Sequence, residues 1–554
     1  MDKKTLEKFC VVLCLLSVSL CSFFICRSKS KIKQGGCPMR RNRQRFFGKI
    51  AVTLWSLILI TVLGCERSIS VPTEFSLATN APRLFPDYNG VTLPWNIAPI
   101  NFRIDEEGTR FVTVVSGSRS PESLTLTGRT VTLPENRWRA LLTGNTDGEI
   151  RFDIFTETER GWTKWPRVTA KISGDAIDPW VSYRLIEPGY EVYGRISLNQ
   201  RSLENFDERP IIDNASVTVR TCVNCHHYQN RSGENFLFHS RGDFGGTTLA
   251  QNGQLRRLDT KRPDGNAAVY PAWHPTLPFI AFSTNRTRQT FHSASPNRIE
   301  VFDQFSDLLL YDIEKNEMLT VFKTRKIFET FPSWSQDGTW LYYCAADLPS
   351  DLISHDDEAN EDFVDTKDYA LFKYNIRRIP FHAATRSFGE PETVIDAASQ
   401  NQSAVHPRLS PDGRFLLYTV SNYGTFPIWH RESDLKMRDL TTGADCPTDV
   451  INSPETESWH TWDSSGRWIV FSSRRGDTLY TRLYFAHVDS DGNFSKPFLL
   501  PQKNPDENIY RLKSYNIPEM MTDPVAIPPD RVARAVRFET PEKVILPEGK
   551  GIEN

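Results

Sequence analysis

The stretch from Ser216 to Gly242, "SVTVRTCVNCHHYQNRSGENFLFHSRG", places Cys222 and Cys225 three positions apart, with His226 directly after the second. Cys-x-x-Cys-His is the attachment sequence of c-type haem. Two thiols at this spacing add to the two vinyl groups on one edge of a porphyrin. The adjacent imidazole becomes the proximal ligand of the iron, and the axial ligands then set its potential. Cys222 and Cys225 are therefore the expected attachment points of one covalent haem c, and His226 its expected iron ligand. Three other chemistries share the spacing. A structural zinc site needs a second ligand pair, for which only Cys344 and Cys446 remain in the body of the chain. A dithiol redox site expects a strand-to-helix setting in a βαβ unit, whereas the flanks here read as strands. The third is a chance match or a lapsed site.

The opposite face of such an iron decides between an electron carrier, six-coordinate with His or Met, and an enzyme with an open position. Met is scarce beyond Cys65, and Met318, Met437, Met520 and Met521 are all remote from the motif in sequence. His227 is too close along the backbone to reach the far face. His239, in "FLFHSRGDFGG", is the candidate distal ligand. A strand there puts Phe236 and Phe238 on one face and Leu237 and His239 on the other, and a turn at Ser232-Gly233 folds it back. The competing readings are a histidine hydrogen-bonded within its own sheet, and a loop ligand such as His292.

Haem c is attached on the outer side of the membrane, so the N-terminus bears on the reading. Residues 39–64 combine a basic stretch, "MRRNRQRFFGK", with an apolar run, "IAVTLWSLILITVLG", as a signal peptide does. Val62-Leu63-Gly64-Cys65 resembles the lipobox of bacterial lipoproteins, which implies lipidation of the Cys65 thiol and cleavage before it. Residues 1–38 then read as an upstream extension or an extra apolar segment, and 65–84 as a tether. The rival is a plain membrane anchor, although fifteen residues are short for a span. Either way the body of the chain is expected in the cell envelope, facing the periplasm. Glu66 after the cysteine favours the outer membrane. Five of the ten cysteines fall in the first 38 residues, so no disulfide framework is implied. The formal net charge of −2 gives no global basic surface and argues against nucleic acid as a partner.

The elements that must position the motif are β-strands. "EIRFDIF" sets Ile150, Phe152 and Ile154 on one face at a period of two, "TRFVTVV" and "SLTLTGRTVTL" behave alike, and no helical period is sustained over twelve residues. A β-sandwich over 85–200 fits. The Tyr- and Arg-rich segment that follows reads as a packed connector, or as a source of pocket residues among Tyr183, Arg184, Tyr190, Arg195 and Arg201. The haem attachment segment occupies 201–245. Beyond it the chain repeats itself: "YPAWHPTLPFIAFST", "FPSWSQDGTWLYYCA", "HPRLSPDGRFLLYTV" and "SWHTWDSSGRWIVFS", each an apolar strand, a tight turn and a second strand. Spacings of 61, 75 and 53 residues between Trp273, Trp334, Leu409 and Trp462 hold about four strands each. His274 and His406, each before Pro, are expected in the turns. The acidic insert 347–368 lacks the EF-hand order and reads as a solvated loop.

These copies resemble the repeats of the TolB-type β-propeller family over roughly 230–505. "TCVNCHHYQNRSG" is similar to haem-bearing propeller proteins in which such a stretch precedes the blades. The resemblance implies an all-β chain: an N-terminal β-sandwich, then a propeller of about five to six blades, with 506–554 as a C-terminal extension. The expected function is electron transfer or redox chemistry at one haem, with the propeller docking a redox partner protein or a small-molecule donor or acceptor. The alternatives are a TolB-like interaction scaffold without haem and a haem enzyme with an open iron site.

Overall fold

The computed structural model describes residues 70–187, 194–263, 265–295, 297–322, 326–348 and 369–547. The signal-like run, Cys65, Tyr190 and most of the acidic insert lie outside the described residues. The chain is all-β, an N-terminal β-sandwich followed by a β-propeller.

The sandwich pairs a seven-stranded sheet, centred on Arg110–Gly117 and Glu149–Thr158, with a three-stranded sheet of Leu84–Phe85, Phe102–Ile104 and Thr130–Val131. The period-two pattern decides which face is inside: Ile150, Phe152 and Ile154 are fully buried, and the residues between them are not. A ten-residue helix, Glu135–Gly144, covers this core through Trp138, Leu141 and Leu142, and Trp138 Nε1 donates to Ile97 O at 3.0 Å. The same core runs on into Val181 and Tyr183, and into Trp468, Val470 and Phe485 farther along the chain.

Among the described residues the propeller has six blades. Blades 2 to 6 begin with the inner strands Thr221–Tyr228, Ala268–Trp273, Ile327–Trp334, Ser403–Leu409 and Glu457–Trp462, and each continues outward through successive antiparallel strands. Blade 1 is composite. Trp180–Ile186, Ile196–Ser202 and Glu208–Asp213 form its outer strands, and its inner strand is Ser514–Met521, which pairs with Trp180–Ile186 from near the end of the chain. The pairing thus draws both expected boundaries differently. Trp180–Ile186 and Ile196–Ser202 belong to the propeller, where the sequence predicts a sandwich ending at 200, and the region beyond 506 supplies the strand that closes the ring. Glu542–Lys543 adds a further parallel edge to blade 2.

The repeat turns are capped alike. Ser335 Oγ accepts from Trp340 N, Ser410 Oγ from Phe415 N, both at 2.9 Å, and Asp463 Oδ1 from Trp468 N at 3.0 Å. His274 fills the same position, accepting at Nδ1 from Thr276 N and Leu277 N, as expected of a turn residue. The repeat tryptophans join neighbouring blades. Trp334 Nε1 donates to Ala272 O of the preceding blade at 2.9 Å and Trp462 Nε1 to Arg408 O at 3.2 Å. Each such bond contributes about 1 kcal/mol beyond the burial of its ring.

Candidate functional site

Cys222, Cys225 and His226 all lie on the inner strand of blade 2. That strand breaks register between Asn224 and His227, where a β-bulge leaves Cys225 with φ of +52°. The same feature recurs once on every inner strand: Tyr270 (+47°), Phe331 (+49°), His406 (+56°), Trp459 (+47°) and Ile517 (+50°). Left-handed backbone costs a non-glycine residue about 1 kcal/mol or more, and six concerted instances mark a position imposed by the fold. Four of the six are followed by proline, at 271, 332, 407 and 518, and the other two by His226 and His460.

The bulge residues pack with one another. Tyr270 and Phe331 lie 4.5 Å apart between ring centroids, Phe331 and His406 4.5 Å, and His406 stacks on Trp459 at 3.9 Å. His406 is therefore an interior residue of this ring stack and not the turn residue expected from its proline: the residue before that proline is the bulge, and the turn lies four residues on. Cys225 is the smallest member of the set, standing where the other blades carry an aromatic ring, an imidazole or Ile.

The three motif side chains are buried, with Cys222 7%, Cys225 3% and His226 4% exposed, and neither cysteine is in a disulfide. Burial pushes the Cys222 thiol up, opposed by the charges of Arg184 and Arg241. The Arg184 guanidinium acts on both thiols, so of the Tyr- and Arg-rich segment it is Arg184 that reaches the motif. Tyr183 instead packs on Tyr515, Arg201 hydrogen-bonds Gln502, and Arg195 faces Asp213. Neither ring nitrogen of His226 makes a hydrogen bond of normal geometry. Its polar neighbours are the Ile517 backbone and Glu519 Oε1, the latter 3.8 Å from Nε2. Burial, with Arg184 adding to it, holds the imidazole's pKa down at about 3. Arg184 Nε, Asn224 Oδ1, both nitrogens of His406 and Trp459 Nε1 are buried without partners as well.

His239 lies on the next strand, opposite Asn224, with Nδ1 3.1 Å from Thr247 Oγ1. The faces divide as the alternation requires. Phe236 and Phe238 pack toward Ile196 and Leu198 of blade 1, whereas Leu237 packs toward Trp273 and Ile280 of blade 3. His239 shares the face of Leu237, and His226 faces the closing strand of blade 1. His292 sits at the tip of the long hairpin of blade 3, near Tyr369. Cys344 is buried in blade 4 and Cys446 lies on an outer strand of blade 5, both as free thiols. Among the described residues no three His, Cys, Asp or Glu side chains converge as ligands for a bare metal ion.

Two positions past each bulge residue stand His227, Ala272, Ser333, Arg408, Thr461 and Glu519, and together they line a cavity of about 110 Å³. Arg231, from the turn after the motif strand, also faces it. Burial raises the Glu519 carboxyl to about 8, against the nearby charge of Arg408. Burial also lowers both arginines. This site was not read from the sequence. Aligning "CHHY" and "IPEM" with "YPAW", "FPSW", "HPRL" and "WHTW" is the signal that finds it.

No known protein-family profile matches the chain, and no curated protein matches it. Solved structures similar to it include the nidogen/laminin complex, at 7% identity over 62% of this chain and 99% of that one, with a TM-score of 0.37. A prolyl endopeptidase is 12% identical over 58% of this chain and 50% of its own, with a TM-score of 0.30. The β-propeller domain of Cps50 (Swd1) from Myceliophteria thermophila is 13% identical over 50% of this chain and 86% of its own, with a TM-score of 0.24. At such identities the likeness concerns the fold alone.

Proposed function

We propose that this chain is a lipid-anchored, periplasm-facing propeller protein carrying one covalent c-type haem, held by the Cys222 and Cys225 thiols with His226 as axial ligand. Its work is electron transfer or redox chemistry, with the propeller as docking surface for a redox partner protein or a small-molecule donor or acceptor. The observation that carries this reading is the state of the donor set. Two free thiols at attachment spacing in the sequence stand on one strand with a buried imidazole that makes no hydrogen bond of normal geometry at either nitrogen. Orphaned buried polar atoms are costly, and a bound group that engages them removes the cost.

A haem held there would supply one-electron chemistry. The chain's own residues do the rest. His226 is kept neutral, the form in which an imidazole ligates iron. Arg184 places a positive charge beside the thiols. Both thiols are buried in the folded chain, so loading of a haem there would have to precede folding of the motif strand. Expression with and without a cytochrome c maturation system, followed by a haem stain on a denaturing gel, tests the proposal. A maturation-dependent covalent signal supports it, and none under either condition removes it.

The interaction scaffold without haem is favoured by one observation: Cys225 and His226 fill repeat positions that the other blades also fill with inward-packed side chains, buried in all but the partly exposed Tyr270. The same stain separates the two readings.

A further inference from the structure

The axial cavity holds two arginines with donors to spare, Arg231 and Arg408, beside one acid, Glu519, while Asp178 and Asp463 also act on Arg231. Arg408 makes one side-chain hydrogen bond, from Nη1 to Pro407 O at 3.1 Å, and Arg231 makes one, from Nε to Trp462 O at 3.2 Å. A guanidinium has five N–H donors, and among the described residues neither arginine has a carboxylate within ion-pairing distance. Both side chains are part-buried at the cavity wall and keep donors free to meet an anion there.

The backbone is strained to place one of them. Asn230 and Arg231 are consecutive non-glycine residues at φ of +47° and +65°. They are held there from the closing segment: Thr522 N donates to Arg231 O at 3.0 Å, and Asp523 Oδ1 accepts from Gly233 N at 2.9 Å. Gly233 is required at that crossing, since a Cβ would come within 2.5 Å of the Pro524 carbonyl carbon. Strain of this kind collects where a side chain must be aimed.

We propose that this cavity binds a small carboxylate, with its two oxygens taken by the forks of Arg231 and Arg408 and its short apolar body lying against Trp273, Trp334 and Trp462. Guanidinium forks match the planar carboxylate, and the tryptophans that line the cavity favour a carbon chain over a bare inorganic anion. At about 110 Å³ the space exceeds the roughly 10–15 Å³ that one water needs and falls below the roughly 300 Å³ at which pockets for drug-sized ligands begin. The proposal does not rest on the haem reading.

Isothermal titration of the full-length protein in low-salt, chloride-free buffer with acetate, propionate, nitrate and inorganic phosphate tests it. Propionate is expected to bind at one site per chain and more tightly than nitrate or phosphate. Arg231→Met and Arg408→Met should each weaken it by about tenfold or more, and Arg531→Met, at an exposed position of the helix Pro529–Phe538, should leave it unchanged. Should a methionine variant fail to fold, Ser333→Leu, which fills the cavity and keeps both arginines, should abolish binding. No carboxylate binding, a preference for nitrate or phosphate, or full binding in Ser333→Leu would each overturn the proposal.

Discussion

His226 Nε2 lies 3.8 Å from Glu519 Oε1, and the two residues stand on the inner strands of neighbouring blades drawn from opposite ends of the propeller sequence. The contact is not an ion pair at neutral pH, because burial holds the imidazole near 3 and the carboxyl near 8, so both are uncharged. It exists only when Ser514–Met521 closes the ring. The surroundings of the Cys-x-x-Cys-His motif are therefore set by the strand Ser514–Met521.

A first prediction concerns that closure. A chain ending at Lys513 lacks the inner strand of blade 1 and leaves one edge of Trp180–Ile186, which carries the fully buried Val181 and Tyr183, without its partner strand. Such a chain should lose near-UV dichroism and be cleaved rapidly throughout the propeller by a protease. A truncated chain as resistant as the full-length protein would show that the strand is dispensable.

The second uses a buried acid away from the motif. Burial raises the Asp303 carboxyl from 3.8 to about 6, although Asn285, Tyr374 and Thr425 all donate to it. The folded state therefore holds this proton over a range in which the unfolded chain has released it. The stabilisation is complete below about pH 4 and is lost as pH rises to about 6, by an amount on the order of 3 kcal/mol. Relative to Asp303→Asn, the wild type should lose Tm across that window and run parallel above it. Parallel curves from pH 4 to 7 would refute the assignment.

The third concerns the far side of the iron. His239 hydrogen-bonds Thr247 and faces blade 3, whereas His226 faces blade 1. His239→Ala should leave the haem spectrum unchanged and cost about 1–3 kcal/mol of stability through the unpaired Thr247. Conversion of a low-spin haem to high-spin would instead make His239 the distal ligand, and a wild type already high-spin would favour the open-site enzyme.

The fourth concerns the anchor. Mass spectrometry of mature protein should find no residues before Cys65 and a lipidated Cys65 at the N-terminus. An intact peptide spanning Gly64–Cys65 in most of the membrane-extracted protein would contradict it.

Much of this fold is written locally. The alternation at Ile150, Phe152 and Ile154, the turns after Trp334 and Leu409, and the opposed faces of Phe238 and His239 all follow from the side-chain period of a strand. Closure is different, because no local pattern reports a partner more than three hundred residues away, and Ile517-Pro518-Glu519-Met520 fall in the stretch that reads as a C-terminal extension. His226 hid the repeat at the motif for a related reason: it stands where most blades have proline, so "CHHY" reads as haem chemistry before it reads as an inner strand. The helix Glu135–Gly144 is too short for its period to stand out. The axial cavity could not be read locally at all, since each inner strand contributes a residue that is ordinary by itself.

The most direct test of the central claim is the intact mass and haem stain of the denatured protein, wild type beside Cys222→Ala/Cys225→Ala, after expression with a cytochrome c maturation system. The account predicts one covalent haem per wild-type chain and none in the double variant. A wild type with no covalent haem, or equal staining in both proteins, would contradict it.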